Sequence, residues 1–570
     1  MFKIGLIFAT ENLFTVPFMN VRSCTLLPVL VFSMLLFSCS SPKEGNKSSG
    51  IGSLFSSDYV DKEEFGKTIA TTLGPVNPSD SLFNKSLLRS DTLNLDYAYQ
   101  LAGREPLWFN ADGPKKAVED LAVQLNDLWN EGLDPGNYRV GYIQQVLAQL
   151  KSDNKQHFPV DSIVAWDKAF TAAWLHAARN LLLGGKEISR GDSLWFVRND
   201  TAFSGAKYLV DALKKSDAFP AFDSFRPDVP EYAQMKKAVA AWAKLKEDTA
   251  YMEAKKQVAA GQQDSTLLLV IRKELGNVDL PANDTLQERG QWIAAYQYYH
   301  QLRISGKMDS TTAASLKKMP DDYIHNLQLN MDRLRALPRE LGAEHVWVNI
   351  PLMEVNYYRD NQVKFHSRVV VGKKARQTPS LWAPMANVVF NPPWGVPPTI
   401  LKKDVGPGVG RSGSAYLARK GLRAFDAKGN DVTASVNGAN YRRFSYRQPP
   451  GAHNSLGEVK FNLPNKWDIY LHDTPHRENF SNRVRALSSG CVRVQNPKLL
   501  AEAILEEQRY TPGKIDSIIQ TRRTKFEQLK RNLPVYIVYL TVAPDSTGNQ
   551  LRYLDDVYGR DTRMKKVYGF

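Results

Sequence analysis

Two stretches of this chain carry side chains suited to nucleophilic chemistry: Ile469-Tyr470-Leu471-His472-Asp473-Thr474 and Ser488-Ser489-Gly490-Cys491-Val492-Arg493. The second sets a thiol directly after a small-small-Gly turn, where backbone N–H groups can converge on one point without side-chain obstruction. A thiol with a pKa of about 8.5 is mostly protonated at neutral pH, and an adjacent imidazole that takes its proton leaves the thiolate, the species that attacks carbonyls. His472, at the end of a strand-like run, is the candidate base. The 19 positions between the pair leave room for a strand, a loop and a return, although spacing alone proves no contact. Taken singly, His472 also reads as a satisfied strand-end histidine and Cys491 as a buried inert thiol.

The other cysteines sharpen the case for Cys491. Thr25 to Phe37 is an apolar run after Arg22, too short to span a bilayer as a helix, and it ends at Ser38-Cys39. This is signal-peptide anatomy, with Met19 a more ordinary start than Met1. Leu36-Phe37-Ser38-Cys39 resembles a bacterial lipobox, so the expectation is a signal peptide over 1–38, lipidation at Cys39 and a Ser/Gly/Lys-rich tether over 39–58. Cys24 leaves with the signal and Cys39 carries lipid. One thiol, Cys491, then remains in an oxidising compartment where an internal disulfide is impossible. The expected location is the periplasm, as a lipoprotein of the inner or outer membrane.

The elements that must position this pair fall into separable regions. The length of 570 residues suggests about three or four domains, and 43% hydrophobic content excludes global disorder. Over 59–260 the apolar residues keep helical spacing, as in Val118, Leu121, Ala122, Leu125 and Leu128, which predicts a helical scaffold. A unit of three short helices is expected over 262–319 and a connecting helix over 320–344. From His345 the period falls to two: Val346, Val348 and Ile350 alternate, as do Val363, Phe365, Ser367, Val369 and Val371 after an Arg359-Asp360-Asn361 turn, predicting a hairpin. Residues 345–545 are therefore expected to be β-rich, with an irregular, lid-like insertion over 397–450 and a C-terminal extension over 546–570. The fold class is multidomain α+β.

Several motifs resemble one family. The run from His472 to Ser488-Ser489-Gly490-Cys491-Val492-Arg493 resembles the active-site signature of the L,D-transpeptidase (YkuD-type) catalytic domain. Val348-Asn349-Ile350-Pro351, Val370-Val371-Gly372-Lys373, Asn391-Pro392-Pro393-Trp394-Gly395-Val396-Pro397 and Gln448-Pro449-Pro450-Gly451 with Asn454-Ser455-Leu456-Gly457 are similar to its long, YcbB-like subfamily. So is the order of parts, in which 262–319 resembles a peptidoglycan-binding unit. The resemblance implies acyl transfer between cell-wall stem peptides, with Cys491 as nucleophile and His472 as base oriented by the Asp473 carbonyl. It further implies an oxyanion hole of the Gly490 and Cys491 N–H groups, and Arg493 orienting the site or meeting a carboxylate. Ser488, Ser489, Asn454, Gly457 and Trp394 are the expected substrate-side residues, and Tyr470 and His476 are left as structural. Stem peptides are the expected partners and carbapenem-type compounds the expected inhibitors.

No cofactor or metal is expected. Gly408-Val409-Gly410-Arg411-Ser412-Gly413 matches a dinucleotide-binding pattern in letters only, because no strand precedes it; a glycine-rich lid loop is the reading adopted. His472 and His476 are four apart, but Pro475 forbids a regular helix and no metalloprotease Glu accompanies them. The net charge of +15 suits an anionic wall, and nucleic acid is not an expected partner. Two other classes stay open, a non-catalytic wall-binding scaffold and an L,D-carboxypeptidase or thiol peptidase.

Overall fold

The computed structural model describes residues 59–570 except 81–85, 88–89, 153–157, 186–203, 262–264, 277–285 and 546. The expected signal peptide, Cys39 and the whole of the expected tether over 39–58 lie outside the described residues. Among the described residues no helix is long and apolar enough to cross a membrane.

The N-terminal helices form because their apolar residues recur on one stripe. Ala117–Asp127 buries Val118, Leu121, Ala122 and Leu125, and the 24-residue helix Val160–Leu183 buries Phe170, Trp174, Ala177 and Leu181. These faces share one core with Trp108 and Phe225. Asp167 is fully buried in this core yet satisfied: its carboxyl accepts the backbone N–H of Trp108 at 2.8 Å and the Tyr99 hydroxyl. The small unit holds the three helices expected, Ser265–Leu275, Leu286–Tyr299 and Ser310–Leu316, around Leu267, Ile271, Trp292 and Tyr296.

Beyond the helix Pro320–Arg335 lies a nine-stranded sheet: β1 (His345–Asn349), β2 (Glu354–Arg359), β3 (Gln362–Gly372), β4 (Leu381–Phe390), β5 (Val459–Asn462), β6 (Leu471–His472), β7 (Ala486–Ser488), β8 (Val492–Val494) and β9 (Lys525–Val538). The strand order is β7-β3-β8-β6-β5-β4-β9-β1-β2, and β2 also pairs with β3, so the sheet closes on itself. The expected hairpin differs in its partners. The Asp360-Asn361 turn, both residues at positive φ, joins β2 to β3, and β1 pairs with β2 and, in parallel, with β9. The intervening strand β2 escaped the sequence reading because its alternation is short, with Val355 and Tyr357 buried between the polar Glu354, Asn356 and Arg359.

The 397–450 insertion is more ordered than its composition predicts. Gly406–Arg419 is a helix and a three-stranded sheet joins Trp394–Gly395, Ser445–Gln448 and Arg423–Phe425, around a separate core of Trp394, Val409, Leu417 and Tyr446. The stretch from Gly408 to Ser412, expected as a loop, is therefore helical, and Gly413, at φ 53° and ψ −134°, kinks the chain between two helical segments. Its glycines serve packing: a Cβ at Gly408 would lie 2.1 Å from the Tyr416 ring, and one at Gly406 2.8 Å from Tyr441.

Scaffold and sheet are joined through the helices Pro230–Glu247 and Pro320–Arg335, whose Tyr232, Trp242, Leu327 and Leu334 belong to the same core as Val348 and Ile537. Glu131, fully buried, accepts from Arg226 at 2.7 Å, Lys236 at 2.8 Å and the Tyr232 hydroxyl at 2.7 Å. Burial alone would raise its carboxyl pKa, but Arg226 and then Lys236 hold it down to about 2. A folded-state value below the unfolded 4.5 stabilises the fold above that pH, and this contribution is lost as pH falls from 4.5 towards about 2. Replacing Glu131 with Ala leaves the partly buried Arg226 and Lys236 and the buried Tyr232 hydroxyl without their acceptor, and is expected to cost about 3 kcal/mol in chemical denaturation at pH 7, the low end for a broken buried pair. The deficit relative to the parent is expected to shrink across that acid window.

Candidate active site

Cys491 and His472 reach one face of the sheet through a single parallel pairing. Leu471 is in register with Val492 and His472 with Arg493, and the Val492 N–H donates to the Tyr470 carbonyl at 3.1 Å, which puts Tyr470 opposite Cys491. Register partners on adjacent strands point to the same side, as do residues two apart on one strand. Cys491, Arg493, Tyr470 and His472 therefore share a face. On the other side of β6, Lys460 of β5 is the register partner of His472.

The half-buried Cys491 sulfur lies 3.6 Å from the Asp468 carbonyl oxygen, to which the thiol can donate. Asp468 has a left-handed backbone, φ 54°, which aims that carbonyl inward. The turn is templated by Asn465, whose side chain accepts the Trp467 and Ile469 N–H groups and donates to the Ile469 carbonyl at 2.7 Å. Burial raises the Cys491 pKa. Hydrogen bonds from the Tyr470 backbone and hydroxyl, and the charges of Lys460 and Arg493, act in the opposite direction without prevailing.

His472 is 5% exposed and its Nδ1 has no hydrogen-bond partner. Burial, then the charge of Arg493, lowers the imidazole pKa to about 3, while the Asp473 and Leu456 carbonyls pull weakly upward. Thiol and imidazole are thus both neutral at pH 7 in the resting protein. Both shifts oppose a standing thiolate–imidazolium pair, which differs from the resting thiolate expected from the sequence. The His472 side chain is on the face that carries the thiol, and its buried Nδ1 makes no hydrogen bond.

The turn before Cys491 is braced from below. The Ser488 hydroxyl donates to the Cys491 carbonyl at 2.6 Å and accepts the Gly490 N–H at 3.1 Å, and the Thr378 hydroxyl donates to the Gly490 carbonyl at 2.6 Å. Gly490 has φ 128°, a conformation suited to glycine. Its N–H is already engaged, which removes it from the expected oxyanion hole and leaves the Cys491 N–H as the backbone donor at that point. Ser488 is a brace rather than a substrate contact. Ser489 is exposed and its hydroxyl accepts from Arg376 at 2.8 Å; Arg376 also grips Asp404 of the insertion at 2.7 Å.

The remaining expected residues divide by what they touch. Asn454, 2% exposed, donates to the Pro392, Gln448 and Pro449 carbonyls and accepts the Leu456 N–H at 2.8 Å, so its amide is consumed in holding the base of the insertion. Gly457 has φ 63°, and a Cβ there would lie 2.3 Å from the Asp473 carboxyl carbon, so the glycine makes room for Asp473. Asp473 turns its side chain to the Glu458 N–H at 2.8 Å and to Arg477. Trp394 is buried in the core of the insertion, and its indole reaches the Tyr470 hydroxyl. The Arg493 Nε is buried without a partner, and its charge bears on both Cys491 and His472.

Sequence reasoning missed Tyr470 and Lys460. Tyr470 packs edge-on to His472 with ring centroids 5.5 Å apart, carries the Lys460 ammonium 4.2 Å from its ring centre, and has its own pKa raised by burial and by Cys491. The available signal was the strand period, since Tyr470 lies two residues before His472 and so on its face.

Three comparisons with known proteins bear on this geometry. Residues 343–523 match a family model described as the L,D-transpeptidase catalytic domain, and residues 94–239 match one described as a Scaffold domain. A Haemophilus influenzae protein curated under the name "Putative L,D-transpeptidase" is 36% identical over 298 residues, covering 50% of this chain and 59% of the relative. The chain thus spans less than two thirds of that relative's length. A solved structure titled as the Ldtfm-avibactam carbamoyl enzyme covers 45% of this chain and 85% of its own, at 11% identity and a TM-score of 0.18.

With thiol and base both neutral, the Cys491 alkylation rate by iodoacetamide is expected to climb through pH 9 without a plateau near neutrality. Lys460→Met and Tyr470→Phe each remove a group that favours the thiolate, so both are expected to shift that profile further up in pH.

Proposed function

We propose that this chain, whose residues 343–523 match the L,D-transpeptidase catalytic domain and 94–239 a Scaffold domain, forms 3→3 cross-links between peptidoglycan stem peptides through a Cys491 thioester. The observation that carries this reading is the shared sheet face of Cys491 and the buried His472.

In the first half-reaction the Cys491 sulfur attacks the carbonyl that joins the third residue of a donor tetrapeptide to its terminal D-Ala. The thiol proton passes to neutral His472 as the carbon–sulfur bond forms, and the imidazolium returns it to the departing amine of D-Ala. The Arg493 and Lys460 charges, which depress the imidazole pKa, make that imidazolium short-lived and a strong acid towards the leaving group. The same cations favour the developing negative charge at sulfur and oxygen. The Cys491 N–H faces the tetrahedral oxyanion, such a donor being worth roughly 3 kcal/mol in comparable acyl transfers. In the second half-reaction an acceptor amine attacks the thioester carbonyl and gives its proton to His472, the carbon–sulfur bond breaks, and the imidazolium passes the proton to the departing sulfur, restoring the thiol. The unmatched Arg493 Nε suits a substrate carboxylate or carbonyl.

Lipidation at Cys39 and residence in the periplasmic face of the envelope belong to the same proposal, supported by the lipobox-like sequence and the fit of a basic chain to an anionic wall. Acylation of Cys491 by carbapenems follows from a nucleophile of this kind.

Mass spectrometry of products from purified tetrapeptide stems tests the reading. The parent is expected to yield D-Ala and cross-linked dimer. Cleaved peptide without dimer would point to a carboxypeptidase, and no turnover with intact binding to a wall scaffold. Cys491→Ser is expected to abolish turnover with the fold retained, and His472→Ala to lower kcat by about 10²–10⁴.

A further inference from the structure

A second groove lies on the scaffold, away from the thiol. It has a cavity of about 380 Å³ lined by Val123, Asn126, Asp127, Trp129, Asn130 and Pro135. That volume is within the range of roughly 300–1,000 Å³ usual for small-ligand sites. Trp129 is 43% exposed and Val123 65% exposed, an unusual pairing of large apolar side chains left at the surface. Beside them stand two carboxamides and one carboxylate. Asp127 is held in place by Lys236 at 2.8 Å and by the Asn130 amide at 2.8 Å. Its charge is thereby offset, so the groove has an aromatic face and hydrogen-bonding groups with no charge left to recruit an anion or a cation. This chemistry fits a neutral, hydroxyl-rich ligand whose flat C–H faces can stack on an indole.

We propose that this groove binds the glycan strand of peptidoglycan, the polymer from which stem peptides hang. The identification of the saccharide rests on the proposed function; the sugar-like chemistry of the groove does not. The mounting of the site supports a positioning role. The Trp129 carbonyl accepts the Gln328 side-chain N–H at 2.8 Å, and Gly132 packs against the same glutamine, where a Cβ would lie 2.7 Å from the Gln328 Cβ. Gln328 is on the helix Pro320–Arg335, whose apolar residues enter the core of the catalytic sheet. A strand held at Trp129 is therefore held rigidly with respect to the domain that carries Cys491, which raises the effective concentration of its stem peptides there.

The test uses the full chain and glycan strands stripped of stem peptides. The parent and Cys491→Ser are expected to co-sediment with these strands equally, and Trp129→Ala to bind about tenfold more weakly, the loss of one stacked aromatic with its apolar contact. Val123→Glu, at a surface position, is the second variant, and thermal melting confirms the fold of both. On intact sacculi Trp129→Ala is expected to raise KM with kcat unchanged, while turnover of free tetrapeptide stays at the parent level. Equal binding of parent, Trp129→Ala and Val123→Glu would overturn the proposal, as would a parent that does not bind stripped strands. If the parent binds them through Trp129 but never acylates, the proposed function fails and the saccharide site stands.

Discussion

The parallel pairing of β6 with β8 is the contact on which the site depends, because its register decides what surrounds the sulfur. With His472 opposite Arg493 and Tyr470 opposite Cys491, two cations and a phenol share the face of a thiol and a buried imidazole. A slip of one residue would send each side chain through the sheet to the other face. The register also sets the electrostatics. Burial keeps sulfur and ring neutral at rest, and the nearby cations favour the thiolate while opposing the imidazolium. Such a site spends little free energy on holding separated charge before substrate arrives and offers its stabilisation to charge that develops during attack.

Segments far apart in sequence hold that register. The C-terminal residues, set apart as an extension in the sequence, are part of this support: the Tyr558 hydroxyl donates to the Gly372 carbonyl at 2.5 Å and accepts the Thr378 N–H, and Arg560 donates to Ser380 at 2.9 Å and to the Thr378 carbonyl at 3.1 Å. Thr378 in turn bonds Gly490, one residue before the thiol. On the opposite side Arg376 ties Ser489 to Asp404, so the insertion and the catalytic turn share one guanidinium. The turn is fixed by side chains from three regions rather than by its own sequence.

What the sequence reveals and conceals follows from the range of the forces involved. Helical spacing in Ala117–Asp127 and the three small-unit helices are local patterns, and they are legible. So are the alternating strands β1 and β3, and the identity of the thiol-bearing turn. The partnering of β2 depends on a closed sheet, which alternation cannot encode. Gly408 and its neighbours read as loop because glycine disfavours helix by about 1 kcal/mol per residue, yet the rings of Tyr416 and Tyr441 need the space those glycines leave. Asn454, Gly457 and Ser488 carry the family-like motif and look like ligand contacts; their bonds show them to be braces. Tyr470 was hidden for the opposite reason, since an aromatic residue in a strand is ordinary until its register partner is known.

The central claim is that Cys491 becomes acylated by a donor stem. Rapid quenching of the full chain mixed with tetrapeptide donor, followed by peptide-level mass spectrometry, measures it directly. The account predicts a transient mass on the Cys491 peptide equal to the donor less D-Ala, which decays when an acceptor amine is added. Product that accumulates while the Cys491 peptide keeps its unmodified mass would contradict it.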